Sequence, residues 1–330
     1  MNNCDELVLR VVVGLWYNFP GNEHTQKREA VFVLVIGAIF VDVKGFARDK
    51  YMPLERNVGD VQVVAGGVCR NVAENLSMLG YEARFVSMVD DNGMGAQVRA
   101  DLAKAGVNVE HVIAAPGGMG MWLAILDENG NLAGSISRQP DFTALEAYLK
   151  EKGDEIVAAS DGMALEFDMN ADISGHMMAL AKKHNKPVYS IVGNMGVILK
   201  HPEYLRDVSC FICNEMEAGR LFREDMTTYS PEETLKALKK GSVLVGIPAM
   251  VITMGPRGAV YVDNNTGEFG FCPPMDVDVV DTTGAGDAFF SAAVAALMGG
   301  APLSQAVQAG TQLASRTLQV AGSCPDSTDM

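Results

Sequence analysis

Between residues 142 and 270 the chain alternates short apolar, β-branched runs with segments of helical spacing, and this alternation restricts the fold more than any other feature. Runs at 163–167, 187–192, 208–213 and 250–254 read as strands, and patterns at 145–151, 172–183, 215–222 and 231–238 read as helices. A strand that is apolar along its whole length belongs in a sheet covered on both faces. Parallel neighbours need a crossover, usually helical. The expected class is therefore α/β, with a mostly parallel central sheet and helices on both faces. A further run at 31–36, ending at Gly37, supplies another buried strand.

Two regions break the alternation. Residues 1–30 are apolar at 7–17 and polar at 21–29, without the basic start or small-residue cleavage site of a secretory signal, and read as an N-terminal extension. The stretch 109–138 changes to strand, turn and strand, with Glu128-Asn129-Gly130-Asn131 as a hairpin signal. Together with 43–64 it predicts a small separate β-sheet within a single domain spanning 31–330.

The net charge of −15 argues against a nucleic-acid or anionic-membrane surface, and no apolar run reaches the roughly 20 residues of a membrane helix. Cys4, Cys69, Cys210, Cys213, Cys272 and Cys324 are scattered. The Cys210-Phe211-Ile212-Cys213 spacing suits a metal or redox pair, but no second pair completes a zinc site. Buried free thiols in a reducing cytoplasm are the simpler expectation.

The chemistry concentrates in Asp281-Thr282-Thr283-Gly284-Ala285-Gly286-Asp287-Ala288-Phe289-Phe290, between a strand-like run at 277–280 and a small-residue helix pattern at 288–298. Gly284 and Gly286 allow a tight turn and close approach to a ligand. The free N–H groups of the following helix make an anion site, and Asp287 places a carboxylate beside it. Backbone donors for phosphoryl oxygens next to a proton acceptor suit phosphoryl transfer. An ordinary helix start is the blander alternative.

This string resembles the C-terminal signature of the PfkB, or ribokinase-like, carbohydrate kinases, and other motifs follow the family's order across most of the chain. The resemblance implies a ribokinase-like three-layer fold with a small β-sheet lid, which often pairs two copies in a homodimer. It implies ATP-dependent phosphorylation of a primary hydroxyl on a sugar or nucleoside, with Mg2+ and with K+ as a further cation. Asp287 is then the base, with Gly284, Ala285 and Gly286 at the transferring group. Asp42 is at the carboxyl edge of the first strand, and Gly66, Gly67 and Asn71 lie in Ala65-Gly66-Gly67-Val68-Cys69-Arg70-Asn71. By the same resemblance these four bind the sugar.

Asn214 and Glu217 match the family's Asn-x-x-Glu motif, which organises phosphate and Mg2+ largely through water; the same spacing is that of a helix capping box. Thr253, Gly255 and Gly258 match the nucleotide-side turn, and Asp281 with backbone near Ser323 matches a monovalent-cation site. Gly-Gly-Val-Cys-Arg-Asn, with Asp42-Val43-Lys44-Gly45 upstream, is similar to the pseudouridine-kinase branch, so pseudouridine is the first expected substrate and ribose or another nucleoside the second.

Two departures stand out. Ser190-Ile191 occupies the place of an Asp-Pro pair in many relatives, which removes one polar contact on the nucleotide or metal side. The chain stops at Met330, where relatives add a final helix. A catalytically weak nucleotide- or sugar-sensing protein is the alternative of a different class. A dinucleotide oxidoreductase is excluded because no Gly-x-Gly-x-x-Gly follows the first strand.

Overall fold

The computed structural model describes residues 31–193, 195–320 and 322. The expected N-terminal extension, Cys4, Cys324 and Ser323 lie outside these residues.

The first half of the chain forms β1 (Phe32–Ile36), β2 (Phe40–Ala47), β3 (Gly59–Gly66), α1 (Val68–Met78), β4 (Glu82–Val89), α2 (Gly93–Lys104), β5 (Val112–Ala114), β6 (Gly120–Leu126), β7 (Leu132–Arg138) and α3 (Thr143–Ala158). The second half forms β8 (Gly162–Glu166), α4 (Ala171–Lys183), β9 (Val188–Ile191), β10 (Cys210–Asn214), α5 (Glu215–Phe222), α6 (Pro231–Val245), β11 (Ala249–Thr253), β12 (Ala259–Asp263), β13 (Phe269–Cys272), α7 (Ala285–Met298) and α8 (Leu303–Thr317).

Among the described residues nine strands make the central sheet, in the order β13-β12-β11-β10-β9-β8-β1-β4-β5. Pairing is parallel from β11 through β5, while β12 and β13 add antiparallel at one edge. The strands look uniformly apolar because both faces are covered. Leu34, Ile36, Leu165 and Ile252 pack against Leu145, Met177 and Leu238, on the side of α3, α4 and α6. The alternate residues Val33, Val35, Ala164 and Val251 pack against Val72, Leu102, Phe290 and Val307, on the side of α1, α2, α7 and α8. This is the expected ribokinase-like three-layer α/β fold. No helix among the described residues is long and apolar enough to cross a membrane.

A second sheet has the order β3-β2-β6-β7. It takes its strands from the two stretches expected to form it, except that Val112–Ala114 pairs with β4 in the large sheet. Its register decides what each face carries. Val63, Val43, Leu123 and Ile136 lie in one row, and Val64, Asp42, Trp122 and Ser137 in the next, on the opposite face. Val63, Leu123 and Ile136 are exposed, so the face away from Asp42 is an uncovered apolar surface.

One sequence expectation needs correction. Residues 277–280 form no strand. Val279 and Val280 are 58% and 65% exposed, and Val277 and Val279 line a cleft instead of joining a ladder. Their alternation with Asp276 and Asp278 imitates a strand without a partner to pair with.

Candidate active site

The candidate residues gather at the carboxyl ends of the parallel strands, where open α/β sheets bind ligands. Helix α7 starts there. Gly284 is its N-cap with φ +77°, in the left-handed region that glycine adopts without strain, and Ala285, Gly286 and Asp287 form the first turn. A Cβ on Gly286 would meet no atom within 4 Å, so its backbone faces open space.

Asn71, on α1, reaches the same point from the opposite end of the sequence: its Nδ2 donates to Asp287 Oδ2 at 2.6 Å. Protein surrounds the Asp287 carboxyl on most sides, although the residue keeps some solvent contact. Burial pushes it from its ordinary 3.8 up to about 7, against the opposing pull of the Asn71 hydrogen bond and the Arg70 charge.

The N-terminal residues cluster around the turn into α1. Gly67 is its N-cap with φ +111°, and a Cβ there would lie 2.5 Å from the Ala38 carbonyl oxygen. Asp42, on β2, faces Gly66: a Cβ on that glycine would sit 3.6 Å from Asp42 Oδ2. Burial raises the Asp42 carboxyl, and Lys44 opposes the rise.

On the other side of α7 a cleft of about 680 Å3 brings together Thr253, Gly255 and Gly258 with Ala285 and Gly286. Thr253 ends β11, and Gly258, at φ +87°, turns the chain into β12. Phe289 and Leu318 supply apolar wall, which suits a flat ring with a phosphate tail directed at the start of α7.

Asn214 caps α5 and pairs in register with Thr253. Asn214 Oδ1 accepts the Glu217 N–H at 2.9 Å, and Glu217 Oε2 accepts the Asn214 N–H at 2.8 Å. The capping box is therefore formed. Glu217 also has its carboxyl raised by burial and by the Asp168 carboxylate, so the pair faces acidic surroundings as well as capping a helix.

Asp281 shapes the loop before α7. Its Oδ1 accepts the Thr283 N–H and its Oδ2 the Gly322 N–H, which hold its carboxyl below the usual range.

Two acids at the end of β8 were missed in the sequence. Glu166 is 6% exposed, and its Oε2 accepts the Ala38 N–H at 3.0 Å. Burial, with the Asp168 and Asp287 carboxylates, pushes it up to about 7, and the Ala38 bond opposes the rise. Gly37 makes room: a Cβ there would lie 2.4 Å from Cys69 Cβ and 2.5 Å from Glu166 Oε2. Asp168 Oδ2 accepts the Gly193 N–H. The available signal was Glu166-Phe167-Asp168 at the end of an apolar strand, the same rule that selected Asp42.

A glycine-capped helix start with a carboxylate in its first turn, between a nucleotide-sized cleft and a second polar turn, defines a group-transfer site of the ribokinase-like class. The family model for pfkB family carbohydrate kinase matches residues 31–330. The chain belongs to the PfkB family and is a carbohydrate or nucleoside kinase. It is 36% identical over 290 residues to the guanosine-inosine kinase of Exiguobacterium acetylicum, covering 87% of this chain and 94% of that protein. The pseudouridine kinase of Escherichia coli (strain K12) is 27% identical over 283 residues, covering 85% and 88%. The structure of Arabidopsis thaliana ribokinase complexed with ribose and ATP superposes with a TM-score of 0.78 at 22% identity, covering 91% of this chain and 97% of that one.

Proposed function

We propose that the chain is an ATP-dependent nucleoside kinase that phosphorylates the 5′-hydroxyl. The observation that carries this is the Asp287 carboxylate, set in the first turn of a glycine-capped helix and held by Asn71 at 2.6 Å.

The substrate sugar occupies the Asp42, Gly66, Gly67 and Asn71 side, and its 5′-hydroxyl approaches Asp287. Asp287 accepts the hydroxyl proton as the oxygen attacks the γ-phosphorus. The new O–P bond forms, the bond from that phosphorus to the bridging oxygen breaks, and ADP carries away the electron pair. The N–H groups of Ala285 and Gly286 take up charge on the transferring group, with Gly284 turning the backbone toward it. The nucleotide base lies in the cleft beyond Thr253, Gly255 and Gly258.

Glu217 has the hard oxygens that Mg2+ takes, and Asp168 adds negative charge beside it. Bound there with its waters, Mg2+ would neutralise phosphate charge. Asp281 offers K+ hard oxygens, each accepting one backbone N–H with a lone pair left over, and no step is drawn through it.

The Arg70 motif suggests pseudouridine, while the greater likeness to a guanosine-inosine kinase suggests a purine ribonucleoside, which we place first. The apolar row through Val63, Leu123 and Ile136 fits a second copy of the chain, giving a homodimer through the small sheet, which acts as a lid over the sugar. A cytoplasmic location suits the buried free thiols of Cys69, Cys210 and Cys213.

The test is ADP release from Mg-ATP with guanosine, inosine, pseudouridine, uridine, ribose and fructose in parallel, with Asp287→Asn as control. Turnover on guanosine or inosine supports the reading. Turnover confined to pseudouridine moves the substrate and keeps the mechanism. Sugar-only turnover overturns the nucleoside assignment, and nucleotide binding without turnover on any substrate favours the sensing alternative.

A further inference from the structure

Helix α1 carries a line of contacts that ends on the candidate base. Arg70 Nη2 donates to Glu74 Oε1 at 2.6 Å, one turn along the helix. Arg70 Nη1 donates to Asn71 Oδ1 at 3.0 Å and to the Ala65 carbonyl at 2.8 Å. Asn71 then donates from Nδ2 to Asp287. The ion pair is nearly enclosed, with side chains 13% and 10% exposed. Desolvating such a pair is expensive, and apolar side chains of similar volume often hold a helix as well. Its presence therefore asks for a task that needs charge and fixed direction.

Donor and acceptor chemistry supplies the task. A guanidinium only donates, an ionised carboxylate only accepts, and a carboxamide has one end of each kind. Between Arg70 and Asp287 the Asn71 amide fits one way round, with its oxygen toward Arg70 and its NH2 toward Asp287. Reversed, it would set NH2 against guanidinium and oxygen against carboxylate.

We propose that Arg70 and Glu74 are positioning residues for phosphoryl transfer: Glu74 clamps Arg70, Arg70 locks the Asn71 amide, and the locked amide aims Asp287 at the substrate hydroxyl. The proposal rests on reading Asp287 as the general base. The bond to Ala65, at the end of β3, anchors the same guanidinium beside Gly66 and Gly67, so the sugar-side turn and the base share one fixed point.

The charges acting on Asp287 come from two elements. Arg70 on α1 favours the ionised form, and Glu74 tempers that charge. Glu166 on β8 and the Cys69 thiol share the same surroundings, and each is raised in part by Asp287.

The experiment compares full-length Arg70→Met, Arg70→Lys, Glu74→Gln and Asp287→Asn with the parent chain. The substrate is whichever of guanosine, inosine and pseudouridine the parent turns over fastest, and the readouts are kcat, KM and the acidic limb of kcat against pH. Arg70→Met is expected to lower kcat about tenfold or more, with little change in KM for ATP, and to move the limb to higher pH. Glu74→Gln moves the limb the other way, because the guanidinium is less compensated. Arg70→Lys restores the limb position but not the full kcat, because an ammonium lacks the planar fork.

A purely structural pair would lower the unfolding temperature and leave kcat and limb unmoved in the folded variants; that result overturns the proposal. Where Arg70→Met fails to fold, Glu74→Gln decides on the same criterion. Loss of turnover in Asp287→Asn alone discards the positioning role and keeps the base. Near-parental turnover in Asp287→Asn removes the base and the proposal with it.

Discussion

Asn71 Nδ2 donates to Asp287 Oδ2 at 2.6 Å, joining α1 to α7 across 216 residues of sequence. One side chain from the glycine turn of α1 thus meets one from the glycine turn of α7. The two glycine turns, proposed as sugar side and phosphate side, are joined by this contact.

The contact bears on the pH dependence of turnover. A general base must be ionised before the hydroxyl attacks, and burial holds Asp287 near 7 in the free enzyme. We expect kcat/KM to rise about tenfold per pH unit below that value and to level off above it. Asp287→Asn should lose about 10²- to 10⁴-fold in kcat and show no such limb while still binding ATP. A pH profile of both proteins checks this; a flat parental profile between about pH 5 and pH 8 would refute the base assignment.

The helix starts of the candidate site could be read before the fold, and the reason is locality. Gly284 to Asp287 and Asn214 to Glu217 are helix starts whose geometry lies within four residues, so spacing predicts the starts, while the roles proposed for them come from the family resemblance. Glu166 and Asp168 are different. Their environment comes from Ala38 and Gly193, which are distant in sequence, and their string looks like any strand end. The four-residue spacing of Arg70 and Glu74 was also visible, but the enclosure that gives it meaning was not. The false strand at 277–280 is the converse case: alternation is local, whereas pairing needs a neighbour, and here Val277 and Val279 serve the cleft wall.

Glu166 gives a stability prediction with a defined sign. Its folded pKa lies above its ordinary value, so the folded state holds more protons than the unfolded chain. Stability is therefore lost as pH rises from about 4.5 to about 7. Glu166→Gln keeps the acceptor for the Ala38 N–H and cannot ionise. It should gain at most about 3 to 4 kcal/mol over the parent near pH 8 and almost nothing near pH 4. Urea unfolding at the two pH values reads the difference directly; equal midpoint shifts at both would contradict the raised carboxyl.

The glycines of the two turns should respond in opposite ways. Gly67→Ala forces a Cβ toward the Ala38 carbonyl at a positive φ, and should cost about 1 to 3 kcal/mol along with sugar affinity. Gly286→Ala places its methyl in open space inside a helix, so stability should hold or rise by up to about 1 kcal/mol. In the proposed function that methyl nevertheless stands where the transferring phosphoryl group approaches. A raised KM for ATP and reduced kcat in a protein with an unchanged or higher Tm is the expected result. Parental kinetics would move the phosphate away from Gly286.

The exposed row on the small sheet predicts association. Ile136 is 70% exposed and in register with Leu123, itself in line with Val63. A lysine at 136 puts charge into the middle of that surface. Ile136→Lys should sediment as a monomer at concentrations where the parent is a dimer, with the fold intact by circular dichroism. A parent that sediments as a monomer removes the dimer from the proposed function.

Glu217 separates two roles that share one geometry. Its carboxylate closes the capping box at the start of α5, and the same carboxylate is the candidate Mg2+ contact. Glutamine at the third helical position also closes a capping box, so Glu217→Gln keeps the local structure and removes only the charge. If the box were its whole function, turnover at every Mg2+ concentration would match the parent. If the charge holds the ion, the Mg2+ concentration for half-maximal rate should rise severalfold or more, while the unfolding free energy changes by less than about 1 kcal/mol. Glu217→Ala should lose both together, because it breaks the hydrogen bond to the Asn214 N–H as well as the charge. A magnesium titration of the glutamine variant therefore decides between cap and metal contact without ambiguity from folding.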